Sequence, residues 1–133
     1  MRILKIGVIG LGAIGRDHVR RLSEKITGCK VVAVSEINEE VGRAVAEQYN
    51  AKFYVDGGEL INSTEVEAVV VTTWDSAHAQ YVMASIRAGK PVFCEKPLAT
   101  EVHECEEIVA AEQAFGKRII QVGFMRRFDP GYV

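Results

Sequence analysis

The chain has 133 residues, 48% of them hydrophobic, and a net charge of −2 from 16 Lys+Arg against 18 Asp+Glu. That is the size of one domain with one core, and it is too apolar for a disordered chain. The basic residues are dispersed, which excludes a dedicated binder of nucleic acid or of an anionic membrane, and no window nears the roughly 18 apolar residues of a membrane span.

Along the chain, short apolar runs rich in Val and Ile alternate with amphipathic stretches. The first run, 3–9, is interrupted by Lys5 and followed by glycines, so it reads as a strand and not as a signal peptide. Val19, Leu22 and Ile26 then share a helical face, with Gly28 as the expected stop. A strand is expected at 31–34. It is followed by a helix that Asn38 caps and that Val41, Ala44, Val45 and Gln48 turn inward. A strand at 53–55, a short helical turn at 57–61 and a strand at 68–71 come next. Tyr81, Ala84 and Ala88 mark a further helix, ended by Gly89 and Pro91, before a strand at 92–94. Val102, Cys105, Ile108 and Val109 mark the last helix, begun at Thr100 and ended at Gly116, and a sixth strand is expected at 119–122.

Continuous apolar runs, as opposed to alternating ones, are the signature of strands buried on both faces of a parallel sheet. The strand-helix alternation predicts an α/β fold of the Rossmann type, with a doubly wound, mostly parallel, six-stranded sheet occupying residues 1–133. Cys29, Cys94 and Cys105 are odd in number and scattered. They suggest neither a disulfide framework nor a thiolate metal site, and a reducing cytoplasm is the simplest setting. His18, His78 and His103 have no metal-ligand spacing; His18 and His103 are expected at the surface.

Gly10-Leu11-Gly12-Ala13-Ile14-Gly15 follows the first strand and opens the first helix, the context in which G-x-G-x-x-G binds a dinucleotide. Gly10 permits the tight turn, Gly12 lets a pyrophosphate approach the backbone, and Gly15 lets helix and strand pack closely. The phosphates would rest on the free N–H groups at the helix start, among them those of Ala13 and Ile14. Glu36, at the end of the second strand and about 20 residues beyond Gly15, can accept bonds from the adenosine ribose hydroxyls. It repels a 2′-phosphate, and no Arg follows it at once, so NAD is expected over NADP. Two more segments fall at carboxyl ends of strands, where ligands bind in such sheets. Thr72, Thr73 and Trp74 can line the cofactor's path, with His78 just beyond, or they can simply lead into a helix. Trp74 is either a packing residue or a lid. Glu95-Lys96-Pro97 offers Lys96 as a base or donor if it is partly desolvated, or as a surface lysine paired with Glu95.

The set Gly10 to Gly15, Glu36, Glu95-Lys96-Pro97-Leu98 and Gly123-Phe124-Met125-Arg126-Arg127-Phe128-Asp129 resembles the Gfo/Idh/MocA oxidoreductases. Within that family it is most similar to the bacterial inositol dehydrogenases. The resemblance covers essentially the whole chain. It implies NAD-dependent oxidation of a ring secondary alcohol of a polyol, myo-inositol going to its 2-ketone. It further implies Lys96 as the catalytic residue beside the reacting hydroxyl, a cis peptide at Lys96-Pro97, and a cofactor site that includes Glu95 and Lys96. Lys96, Met125 and Arg126 would face substrate. Family members carry a second domain that supplies an Asp and a His for proton relay, most of the substrate pocket and the interface of a homotetramer. That domain is expected to be absent here, which leaves an apolar patch at Phe124, Met125 and Phe128. Two alternatives stay open: a non-catalytic NAD-binding module, and a related NAD(P)-dependent sugar dehydrogenase.

Overall fold

The computed structural model describes residues 2–96 and 98–123. The Lys96-Pro97 peptide, Phe124, Met125, Arg126, Arg127 and Phe128 therefore lie outside the described residues. Six strands, β1 (Leu4–Ile9), β2 (Cys29–Ser35), β3 (Lys52–Tyr54), β4 (Ala68–Val71), β5 (Val92–Glu95) and β6 (Ile120–Gly123), alternate with helices α1 (Ala13–Glu24), α2 (Glu39–Tyr49), α3 (Gly57–Asn62), α4 (His78–Arg87) and α5 (Val102–Phe115). A 3-10 turn at Asp75–Ala77 leads into α4.

All the strand pairings are parallel, and the order across the sheet is β3-β2-β1-β4-β5-β6. The chain starts in the middle, winds outward to β3, and crosses back to β4. That reversal leaves β1 and β4 adjacent, with their following loops departing in opposite directions. The crevice between those loops is where open α/β sheets bind ligands.

Two cores flank the sheet. Leu60, Ile61, Val69, Val71, Val82, Ile86, Cys94 and Ile108 close one face beneath α3, α4 and α5. Val8, Leu11, Val19, Val34, Val45 and Val70 close the other beneath α1 and α2. Two helices cannot cover six strands. On their side a groove of about 560 Å³ runs over β4, β5 and β6, lined among others by Ile6, Leu22, Val70, Phe93 and Ile120. It is apolar and lies on the sheet face, not at the carboxyl ends of the strands.

The faces that pack differ in detail from those the spacing predicts. In α2 the buried residues are Gly42, Val45 and Ala46, while Ala44 and Gln48 are exposed. Gly42 turns inward because Phe53 of β3 lies where a Cβ would be, 2.2 Å from its ring edge. α1 ends at Glu24, so Ile26 is half exposed and Gly28, at φ +89°, serves the following turn and is not the helix stop. In α4 it is His78, Ala79, Val82, Ser85 and Ile86 that are buried, and Tyr81, Ala84 and Ala88 only flank them. α5 starts one residue later than predicted. Glu101 and Glu104 form a reciprocal capping box, and the Thr100 hydroxyl donates to Glu104. Asn38 caps α2 as expected, its side chain accepting from the Val41 N–H at 3.3 Å, and Gly116 ends α5 at φ +86°.

The last helix offers a direct check of this packing. Ile108 is 1% exposed and its neighbour Val109 is 50% exposed. Ile108→Ala is expected to cost about 2–5 kcal/mol through the cavity it leaves. Val109→Ala should stay within about 0.5 kcal/mol. Urea midpoints at unchanged m-value separate the two.

Candidate functional site

The site forms where the β1–α1 loop meets the β4–α4 loop. Gly10 leaves β1 at φ +94°, with its N–H donating to the Ser35 carbonyl of β2 at 2.8 Å. A Cβ on Gly10 would lie 2.5 Å from the backbone N of Thr73, so the two loops touch backbone to backbone. Gly15, one turn into α1, is tighter still. Its Cβ would stand 1.9 Å from the Gly10 carbonyl oxygen and 2.8 Å from Thr72 Oγ1. Thr72 completes this knot. Its hydroxyl lies 2.7 Å from the Gly10 carbonyl and 3.2 Å from that of Ile9, and its N–H donates to Ile9 at 2.8 Å.

Gly12 is different. A Cβ there would meet nothing within 4 Å, and its backbone is extended. The protein's own packing does not require glycine at this position, and the space a Cβ would take opens onto a groove. That groove, of about 400 Å³, is lined by Gly10, Gly12, Ala13, Ile14, Glu36, Thr72, Thr73 and Trp74. α1 begins at its floor with no side-chain cap and no acidic residue in its first turn. In α2 and α3, by contrast, an Asn or Asp caps the start and a Glu follows. Free N–H groups at an uncapped, positive helix end suit a phosphate.

Glu36 closes one end of the groove. One carboxylate oxygen accepts the Leu11 N–H at 2.8 Å and the other accepts the Asn38 N–H at 2.7 Å. A carboxylate has about four acceptor positions, so this bracing leaves capacity for hydroxyl donors. Glu36 therefore holds the glycine loop in addition to facing the groove, a role the motif alone does not show.

The remaining candidates lie on the β4 and β5 ends. Trp74 is 55% exposed beside the groove. His78 is 1% exposed. Its Nε2 donates to the Thr73 carbonyl at 2.8 Å, so it meets the groove through Thr73 and not with its own ring. Lys96 is exposed, and its backbone N–H donates to the Gly123 carbonyl of β6 at 3.2 Å. Glu95 is turned away from Lys96 toward α1, where His18 Nε2 lies 3.0 Å from its Oε1. His18 is thus not the surface residue its sequence context suggests. It is half-buried, with its ring edge on Phe93 at a centroid distance of 5.5 Å. Cys94, between Phe93 and Glu95, is fully buried, and burial, with the charges of Glu95 and Asp75, pushes its thiol up to about 12. It is an inert packing residue.

Residues 4–124 match the family model described as the oxidoreductase family, NAD-binding Rossmann fold. The chain belongs to the Gfo/Idh/MocA oxidoreductase family. It is 56% identical over 131 residues to the inositol 2-dehydrogenase of Pseudomonas fluorescens, and 54% identical over 132 residues to that of Agrobacterium fabrum. These alignments cover 97% and 98% of this chain. It superposes with TM-score 0.92 and 42% identity on myo-inositol dehydrogenase from Lactobacillus casei solved with NAD(H) and myo-inositol, covering 97% of this chain and 39% of that one. The scyllo-inositol dehydrogenase of the same organism, solved with NAD(H) and scyllo-inositol, gives TM-score 0.92 at 26% identity, covering 98% and 39%. The chain spans 39% of the length of the two curated relatives. The glycine loop and Glu36 lie at the crevice between the ends of β1 and β4, the place where open α/β sheets bind ligands.

The two inner glycines should separate by experiment. Gly15→Ala drives a Cβ into backbone and should destabilise the fold by at least the 1–3 kcal/mol typical of overpacking. Gly12→Ala should fold within about 0.5 kcal/mol of the parent sequence. Thermal or urea unfolding reads both.

Proposed function

We propose that the chain is the NAD-binding half of a dehydrogenase that oxidises a secondary alcohol of a cyclic polyol, myo-inositol giving its 2-ketone. The observation that carries this reading is the groove between Gly12 and Trp74, with Glu36 at one end. Beyond it stand Glu95 and Lys96 at the carboxyl end of β5, the strand beside β4. The similarity to inositol 2-dehydrogenases supports the substrate class.

In this reading Gly12, Ala13 and Ile14 present backbone to the pyrophosphate, while Thr72 and Glu36 keep that backbone in place. Glu36 accepts the ribose hydroxyls of NAD and repels the 2′-phosphate of NADP. Thr73 and Trp74 flank the path toward β5. When bound, the nicotinamide supplies the hydride acceptor for the alcohol. Lys96 stands beside the reacting hydroxyl as its base or hydrogen-bond donor, and Lys96, Met125 and Arg126 are the substrate residues that the family resemblance implies. Residues 1–133 form the cofactor domain, and the second domain of the family completes the substrate pocket and a homotetramer. A cytoplasmic setting accords with Cys29, Cys94 and Cys105, all free thiols, and no helix among the described residues is long and apolar enough to cross a membrane.

A second reading rests on the same groove: this chain binds NAD without turning over a polyol. The two share their first step. NADH should bind and its fluorescence should change, with NADPH binding more weakly; failure of either sinks the cofactor assignment. Glu36→Ala should lower NADH affinity roughly tenfold or more, the loss of charged hydrogen bonds being worth about 1.5–3 kcal/mol. Gly12→Ala should abolish binding while leaving the fold intact. An assay with myo-inositol and NAD then separates the readings. Little or no NADH formation is expected from this chain alone, and measurable turnover would reject the module reading.

A further inference from the structure

We propose that His18 is a positioning residue of the dehydrogenase centre, fixing the Glu95 carboxylate and through it the strand end from which Lys96 emerges. The inference rests on the reading of Lys96 given above.

Four observations carry it. First, the His18–Glu95 contact, at 3.0 Å, joins two largely covered side chains, 27% and 13% exposed. A carboxylate accepts only, so the imidazole must donate from Nε2. Second, the ring is held from a second side. Its edge meets Phe93, which lies two residues before Glu95 and so projects from the same face of β5. An imidazole fixed by both residues cannot rotate without leaving one of them. Third, the next strand lies close. A Cβ on Gly123 of β6 would lie 2.7 Å from Phe93 Cζ and 3.3 Å from Glu95 Cδ, so β6 backs both side chains, while His18 and Phe93 also line the open groove over β4 to β6. The Gly123 carbonyl at the same point accepts the Lys96 N–H. Lys96 therefore has its backbone pinned from β6, while the preceding side chain is pinned from α1. Fourth, His18 sits one turn beyond Gly15 on the helix whose start floors the cofactor groove. α1 thus reaches both the phosphate end of the site and, by way of His18, the strand end that carries Lys96. A packing histidine would not need a carboxylate partner, and a surface histidine would not need Phe93.

The test uses the full 133-residue chain and NADH as the probe. The variants are His18→Phe, which keeps a ring on Phe93 but cannot donate, and His18→Gln, which can donate to Glu95. Circular dichroism checks folding, and His18→Leu is the second donor-free variant should His18→Phe not fold. The ¹H–¹⁵N resonance of the Lys96 amide should move by more than its linewidth in His18→Phe, before NADH is added, and return toward its original position in His18→Gln. Its response to NADH should shrink and recover in the same order. A Lys96 resonance unaffected by loss of the donor, or equally displaced in both variants, overturns the proposal. Absence of NADH binding by the parent chain overturns the cofactor reading instead, and the comparison of the free chains still decides the role of His18.

Discussion

The close approach of two backbones at the end of β1 governs the rest of this molecule. Gly10 abuts Thr73, and Gly15 abuts the Gly10 carbonyl, at distances that exclude any side chain. Because the contacts are between main chains, neither partner can yield by changing rotamer. α1 is thereby seated directly on the sheet, its uncapped start directed into the crevice between β1 and β4. The Thr72 hydroxyl, bonded across that junction, ties β4 to the loop that follows β1. The sheet order that brings β4 beside β1 is thus what shapes the groove.

Around that junction several polar groups hold backbone, and Glu36 does so in addition to facing the groove. Glu36 accepts from Leu11 and Asn38, joining the glycine loop to the start of α2. His78 holds the Thr73 carbonyl, and Gly123 holds Lys96. A cofactor entering such a site meets amides already in place, so less of the binding free energy is lost in ordering them. The apolar half-face over β4 to β6 is a separate matter. It lies below the strand ends and takes no part in the cofactor groove.

Much of the fold was legible in the residues. Val- and Ile-rich runs separated by helical spacing can bury both faces only as a parallel sheet. The expected strands coincide with the observed ones to within one or two residues at each end. Helix faces were less legible. Spacing names several rotations of a helix that are equally apolar, and which one turns inward depends on what lies beneath it. In α2 the ring of Phe53 selected Gly42 over Ala44, and in α4 His78 and Ser85 are buried where a polarity pattern would leave them outside. Capping at Asn38 and Gly116 was readable because a cap bonds within its own few residues. The start of α5 shifted by one residue because a Glu pair bonded more completely than Thr100 could.

The sequence by itself determined the family, the fold class and the glycine loop with its acidic partner, since these depend on local spacing and on residue types with few alternatives. Tertiary structure alone decided what those residues touch. It separated Gly15, required by the protein's own backbone, from Gly12, which faces open groove. It showed Glu36 bracing the loop, and it brought His18 onto Glu95. Residues 77 positions apart in the chain carry no sequence signal of contact. Only the seating of α1 on the sheet places that donor beside that carboxylate.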